Sequence, residues 1–488
     1  MHGIRRQNMT GLTAGLMVAA LTTVLPCIAA APAPPTTRAA GAPFRLATFS
    51  ADVTIPVGHA CMGGGISPAK EIVDPLMARG VVLLGPDQPI VILAVDFCEL
   101  RNDAYERWRM VLAESAGTVP KRVMLASVHQ HDAPVCDLAA QKLLDEHGLR
   151  DSLCDPEFHE RAVQRVATAL RESLASARPI THIGTGQAKV EGVASNRRVV
   201  RPDGKVSYPR NSATRDPAIR AAPEGEIDPF LKTISFWNHD LPVTAIHCYA
   251  THPMSYYGRG GVSADFVGMA RARRQKDDPS VFQIYFSGCS GDITAGKFND
   301  GAPENRPVLA ERIYRGMVQA WQATRRQPLK RITFRVVPLR LEPRNTGEFT
   351  VESMEQRLAD TTARTFHRNL AAMGLSWHRR VAAGRAMDLP AVDFGPAILL
   401  VLPAESFVAY QLMAQRLRPD VLVMTAGYGE CAPGYIPTER AFNEGFADDE
   451  VWCWVAPGTE RVMQSALVQA LAPTATRPAD NHSMRLDR

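Results

Sequence analysis

The chain has 488 residues, of which 45% are hydrophobic and 22% charged, with a formal net charge of +5. That balance excludes a disordered or collagen-like chain and fits a globular protein with a large core. The positive charge comes from scattered arginines, and no Lys/Arg stripe with interleaved aromatics marks a nucleic-acid surface.

At the N-terminus, Arg5 and Arg6 precede an apolar run from Leu12 to Leu25, and small residues follow at Ala29-Ala30-Ala31. This is the layout of a secretory signal peptide over residues 1–30, which predicts a secreted or periplasmic protein. The run is too short for a stable membrane span, and Pro26 before Cys27 argues against lipoprotein cleavage. The Pro/Ala/Thr stretch 31–43 reads as a spacer, residues 44–472 as one large domain with no internal linker, and 473–488 as a disordered tail. Of nine cysteines, Cys27 leaves with the leader; spacing allows Cys136 to pair with Cys154, or Cys431 with Cys453. Cys248 and Cys289 lie in apolar strand contexts that suit buried thiols, and the lack of a C-x-x-C pair argues against a structural zinc knuckle.

From Pro89 the text alternates between strand and helix patterns. Residues 89–97 read as a buried strand, 103–116 as an amphipathic helix with Tyr105, Trp108, Val111 and Leu112 on one side, and 122–128 as a second strand. Phe158, Ala162, Val166, Ala167, Leu170 and Leu174 form the apolar stripe of another helix. Strands are predicted over 180–189, 230–237, 241–249, 281–286 and 331–341, and helices over 264–275, 307–323 and 406–416. The pattern predicts an α/β fold with large mixed β-sheets covered by helices, with a hairpin around Asn238-His239-Asp240. Residues 200–226, rich in Arg and Pro without periodicity, read as a long surface loop.

Chemistry concentrates where strands end. The strand at 122–128 runs into His129-Gln-His131-Asp-Ala-Pro134, and side chains two apart on a strand share a face, so both rings can meet one ion or one substrate atom. A single His-x-His equally suits packing or surface roles. A third histidine, His252, closes the apolar run from Val243 just before Pro253. Ligands gathered from separate strand ends mark a catalytic metal site rather than a structural one. Further polar strand ends are Asn196-Arg197-Arg198, Ser263-Ala-Asp265, Gly291-Asp292-Ile-Thr294, Pro403-Ala-Glu405 and Gly434-Tyr435-Ile-Pro-Thr438. Glu405 also suits the first turn of the helix that follows, where the helix dipole favours an acid.

Taken in order, these segments resemble the neutral/alkaline ceramidase family, exported zinc amidohydrolases that cleave the N-acyl bond of ceramides. Ser127–Pro134 lies over that family's Ala-Thr-His-Thr-His-Ser-Gly-Pro motif, and the other segments lie over its remaining motifs in the same order. The resemblance implies that His129, His252, Glu405 and Tyr435 bind Zn2+, while His131, Arg197 and Thr294 serve catalysis. It further implies an exported hydrolase of an N-acyl bond in a lipid or related substrate, hence peripheral contact with a membrane. A water in the open position would have its pKa brought to roughly 7. Asp265 and Asp292 would orient ligands, although either equally suits a turn residue bonded to nearby backbone.

Departures from the family bear on substrate. Phe442 and Phe446 stand where the family carries a second tyrosine that holds the scissile carbonyl, Asp132-Ala133 replaces Ser-Gly, and Thr294 replaces serine. The family's C-terminal β-sandwich is expected to be missing. A ligand-binding member that kept the pocket but lost turnover is the alternative, and nothing in the sequence fixes an oligomeric state.

Overall fold

The strand Ile90–Val95 (IVILAV) has no polar side chain and is buried on both faces, which places it inside a sheet covered on two sides. A computed structural model describes residues 44–473 apart from residues 202 and 449. The expected leader, the whole spacer and nearly all of the tail lie outside the described residues. In the first five-stranded sheet, Ile90–Val95 pairs antiparallel with Met77–Leu84 and parallel with Val123–Ser127; Phe44–Asp52 and Arg178–Ile180 complete it. Alternate residues then part. Val91, Leu93 and Val95 join one apolar cluster with Trp108, Leu112, Phe158 and Val166, whereas Ile90, Ile92 and Ala94 join another with Ile234, Phe236, Ile246 and Ile284.

The second partners belong to another five-stranded sheet, ordered Phe282–Ser287, Leu241–Tyr249, Phe230–Asn238, His182–Lys189 and Arg325–Pro328. It is mixed. Phe230–Asn238 and Leu241–Tyr249 form the expected antiparallel hairpin, and Leu241–Tyr249 runs parallel to Phe282–Ser287. A four-stranded sheet, Thr333–Leu339, Met387–Asp393, Ala397–Val401 and Leu422–Ala426, adds its own parallel pair. The helix Asn102–Ala116 ends on Gly117 in the left-handed region, and Pro156–Leu174 is capped by Asp155, whose side chain accepts from Glu157 N and Phe158 N. The helices Val351–Ala359 and Thr365–Ala382 lie in a stretch where the sequence pattern gave no reading.

Two expectations need correction. Residues 200–226 are not simply a surface loop: they carry a short strand pair and the helix Pro217–Ala221, and Arg210 is fully buried. Its guanidinium donates to the carbonyls of Asn196, Pro223, Ile219 and Ala222, so one cation satisfies backbone that periodicity could not. The cysteines do not pair; all eight from Cys61 to Cys453 are free and buried. The Cys431 thiol is taken by the Gly429 carbonyl and that of Cys453 by the Tyr435 carbonyl. The Cys136 thiol is hydrogen-bonded with Cys154, which together with burial raises its pKa well above the ordinary range. Among the described residues no helix is long and apolar enough to cross a membrane.

Candidate active site

The parallel strands Val123–Ser127, Leu241–Tyr249, Ala397–Val401 and Leu422–Ala426 all deliver polar residues beyond their carboxyl ends, the usual place for a site in sheets of this kind. After Ser127 the chain takes a sharp path: Val128 N donates to Val95 O, His129 N to Phe97 O, and His129 sits at φ +75°. A left-handed non-glycine residue costs on the order of 1–3 kcal/mol and marks a side chain aimed by its surroundings. Here the backbone turn aims the imidazole inward.

His129 Nδ1 lies 2.9 Å from the Cys98 carbonyl and His252 Nδ1 lies 3.0 Å from the Ile293 carbonyl. Each ring therefore spends its N–H on backbone, and the Nε2 lone pairs of both face Glu405. The Glu405 carboxylate is 3.4 Å from His129 Nε2 and 2.9 Å from His252 Nε2. Glu405 belongs to a two-residue strand ahead of the helix Val408–Leu417 rather than to its first turn, so the helix-dipole account of this residue does not apply. That strand is held close to Gly291, where a Cβ would come within 2.1 Å of the Glu405 carbonyl oxygen. Burial would raise the Glu405 pKa, but the two imidazoles outweigh it and hold the carboxyl below its usual range.

Three lone-pair atoms facing one another favour a positive charge among them, either a proton held on an imidazole or a bound cation. Ligand atoms of His129, His252 and Glu405 all lie within 4.8 Å of one another in a buried group, and His129 Nε2 has no hydrogen-bond partner. Nδ1-to-carbonyl bonds that leave Nε2 free are the outer-shell arrangement of metal-binding histidines. The donor set fits a divalent cation such as zinc.

Tyr435 is the register partner of Glu405 in a parallel strand pair, so their side chains leave the same face. Its hydroxyl accepts from Arg197 Nη2 at 2.9 Å, and the same nitrogen is 3.3 Å from His252 Nε2. Arg197 is fixed by Asp292: Arg197 N donates to the Asp292 carbonyl, while the Asp292 carboxylate takes Asn196 Nδ2 and Val408 N. Asp265 does the same for the turn after His252, accepting from the N–H and the hydroxyl of Ser255. His131 is half-buried with its ring centroid 5.3 Å from that of His129, and its Nδ1 has no partner. Burial, with His129 and His252 close by, lowers its pKa well below the usual value.

Thr294 follows Ile293, whose carbonyl lies 3.0 Å from His252 Nδ1. Its hydroxyl donates to the Asn211 carbonyl and accepts from Gly296 N, and it pairs with Ser195 in the short ladder that carries Asn196. Phe446 packs edge-on to Tyr435 with centroids 5.5 Å apart, whereas Phe442 packs on the larger apolar cluster.

Two further tyrosines line the site: Tyr428, which the sequence offers as a replacement for the missing phenol, and Tyr257, which the reading of strand ends did not single out. Tyr428, in Gly427-Tyr-Gly429 after the strand Leu422–Ala426, stacks on His129. Tyr257, in Tyr256-Tyr-Gly-Arg-Gly-Gly261, meets His131 edge-on. Gly-rich text just past a strand end was the available signal.

No protein-family model matches the chain, and no curated protein matches it by sequence. Its fold matches a crystal structure of neutral ceramidase from Pseudomonas aeruginosa, with a TM-score of 0.64 and 17% identity over 88% of this chain and 74% of that one. A ceramidase complexed with C2 matches with a TM-score of 0.63 and 17% identity, over 88% of this chain and 75% of that chain. At this identity the likeness establishes a shared α/β fold.

Proposed function

We propose that the protein is an exported, zinc-dependent hydrolase that cleaves an N-acyl bond in a ceramide-like lipid or related amide. The observation that carries this reading is the convergence of His129 Nε2, His252 Nε2 and the Glu405 carboxylate, with both Nδ1 protons committed to backbone carbonyls. The ceramidase fold and the C2 complex support an acylated lipid as the substrate class.

His129, His252 and Glu405 would hold the ion, with Tyr435 beside them as the fourth ligand. When bound, zinc lowers the pKa of water toward neutrality and polarises a carbonyl. Water adds to the amide carbon, the C–N bond breaks, and the products are a carboxylate and an amine. His131, with a free ring nitrogen beside the ligand pair, takes the proton of the attacking water and returns it to the departing nitrogen. Arg197 donates to the carbonyl oxygen as negative charge grows there. A lipid substrate has to be drawn from a bilayer, so peripheral membrane contact is part of this proposal.

Phe446 against Tyr435 places a ring without a hydroxyl beside the ligand group, which favours a second reading as a binding protein without turnover. Metal analysis of the purified protein, paired with a screen of amides and esters that includes ceramide, separates the two. Bound zinc with amide hydrolysis supports the enzyme; zinc without hydrolysis of any amide or ester supports the binding protein. A metal-free protein that takes up no added zinc ends both.

A further inference from the structure

Apart from Tyr257, the two phenols at the site are already engaged within the protein. The Tyr428 hydroxyl is 2.6 Å from Ser290 Oγ, and the Tyr435 hydroxyl accepts from Arg197. Tyr257 differs. Its ring centroid is 4.8 Å from that of His131 with planes at 79°, it is 36% exposed, and its hydroxyl has no hydrogen-bond partner among the described residues.

The segment that carries this ring is held on both sides. Before it, Arg306 Nη2 donates to the Tyr256 carbonyl at 2.7 Å, and the same guanidinium lies 3.8 Å over the Tyr256 ring. After it, Gly258 N donates to Asp132 Oδ1 at 2.8 Å, and Gly258 adopts φ +83°, a turn that favours glycine. Arg306 also donates to Ser255 Oγ and reaches Asp265, the pair that fixes the turn after His252. Asp132 immediately follows His131. One carboxylate therefore ties the loop of Tyr257 to the strand end that presents His129 and His131. A phenol that is merely surface decoration has no need of such anchoring.

We infer that Tyr257 is a substrate-facing residue whose hydroxyl donates a hydrogen bond to the acyl oxygen of the bound substrate beside His131, with Asp132 as its positioning residue. Burial raises the pKa of the phenol, which keeps the donor proton in place at neutral pH. The inference rests on the proposed acyl-bond chemistry, and it assigns the donor to a loop after His252 rather than to Phe442 or Phe446.

Tyr257→Phe removes the hydroxyl and keeps the ring against His131, so the fold and the metal content should be unchanged. Two measurements on zinc-loaded protein test it: turnover of a short-chain N-acyl amide, and binding of decanoate, whose carboxylate offers the same acyl oxygen, by calorimetry. Loss of one preorganised donor lowers kcat on the order of 100-fold with KM little changed. Decanoate binding should weaken about 10-fold, the scale of one lost hydrogen bond. Asp132→Asn should show a smaller loss in the same direction, and Phe446→Tyr should restore part of the rate in the Tyr257→Phe background. If wild type turns over no amide yet decanoate binding depends on Tyr257, the inference stands and the hydrolase reading fails. Turnover and binding equal to wild type in Tyr257→Phe overturn the inference while leaving the hydrolase reading intact. Wild type that neither turns over amide nor binds decanoate overturns both.

Discussion

The Tyr428 ring lies flat on the His129 imidazole, with centroids 4.1 Å apart and planes inclined by 16°. Tyr428 also accepts Ser127 N on its carbonyl, so one residue fixes both the end of the strand and the ring plane of the histidine that follows it. Since Tyr428 is itself at φ +59°, Tyr428→Gly removes the ring without straining the turn.

With that wall gone, His129 can leave the orientation set by the Cys98 carbonyl. Zinc affinity of Tyr428→Gly, measured by competition with a chelator, should fall about 10- to 100-fold, the usual effect of losing an outer-shell contact. Tyr428→Phe keeps the stack and should bind zinc nearly as wild type does. Equal affinity in all three proteins would show that the stack does not matter.

The ligand assignment makes a sharper demand. His129→Ala, His252→Ala and Glu405→Gln should each lose metal and activity together, whereas His131→Ala should keep the metal and lose rate. Loss of one ligand leaves the other two lone pairs without a shared ion; loss of His131 removes only a group that serves the substrate. A stoichiometric zinc content in purified His252→Ala would contradict this assignment.

A different histidine sets acid stability. His247, five residues before His252, is fully buried with Nδ1 at 2.8 Å from Thr233 Oγ1 and Nε2 at 2.9 Å from Gln283 Oε1, and burial lowers its pKa to about 4. Because the folded form resists a proton that the unfolded chain accepts below about pH 6.5, stability is present above that pH and is lost as pH falls toward 4. The full loss is about 3 kcal/mol by linkage. His159, bonded to Trp108 Nε1 and also lowered to about 4 by burial, acts in the same direction. Urea unfolding from pH 7 to pH 4 should give a flatter profile for His247→Gln than for wild type. Parallel profiles would refute the linkage.

Export is tested by the N-terminus of the mature protein. The charged start, apolar run and Ala29-Ala30-Ala31 predict that the exported form begins near Ala31. N-terminal sequencing that recovers Met1 from the exported fraction would contradict it.

The sequence by itself determined Ile90–Val95 and Val123–Ser127 of the first large sheet, four strands of the second, several covering helices and the strand-end histidines, but not Phe44–Asp52, Met77–Leu84 or Arg325–Pro328. They follow from local pattern: a continuous apolar run such as Pro89–Phe97 reads as a buried strand without reference to the rest of the chain, and His129-x-His131 and His252 stand where such runs stop. It also placed Glu405, but left its meaning open, since an acid before a helix has an adequate local explanation. Only the tertiary structure decided among the candidates. Glu405 turned out to face two Nε2 lone pairs from strands of different sheets, a relationship separated by 153 and 276 residues along the chain. Thr294 turned out to spend its hydroxyl on backbone, and Arg210 filled a loop that periodicity left blank. Tyr257 and Tyr428 reach the site through Asp132, Arg306 and Ser290, contacts that join distant segments and leave no periodic trace. Hydrogen bonds between such segments form only once the sheets have packed, because the direction of a side chain at a strand end is set by the backbone it meets there rather than by its neighbours in sequence.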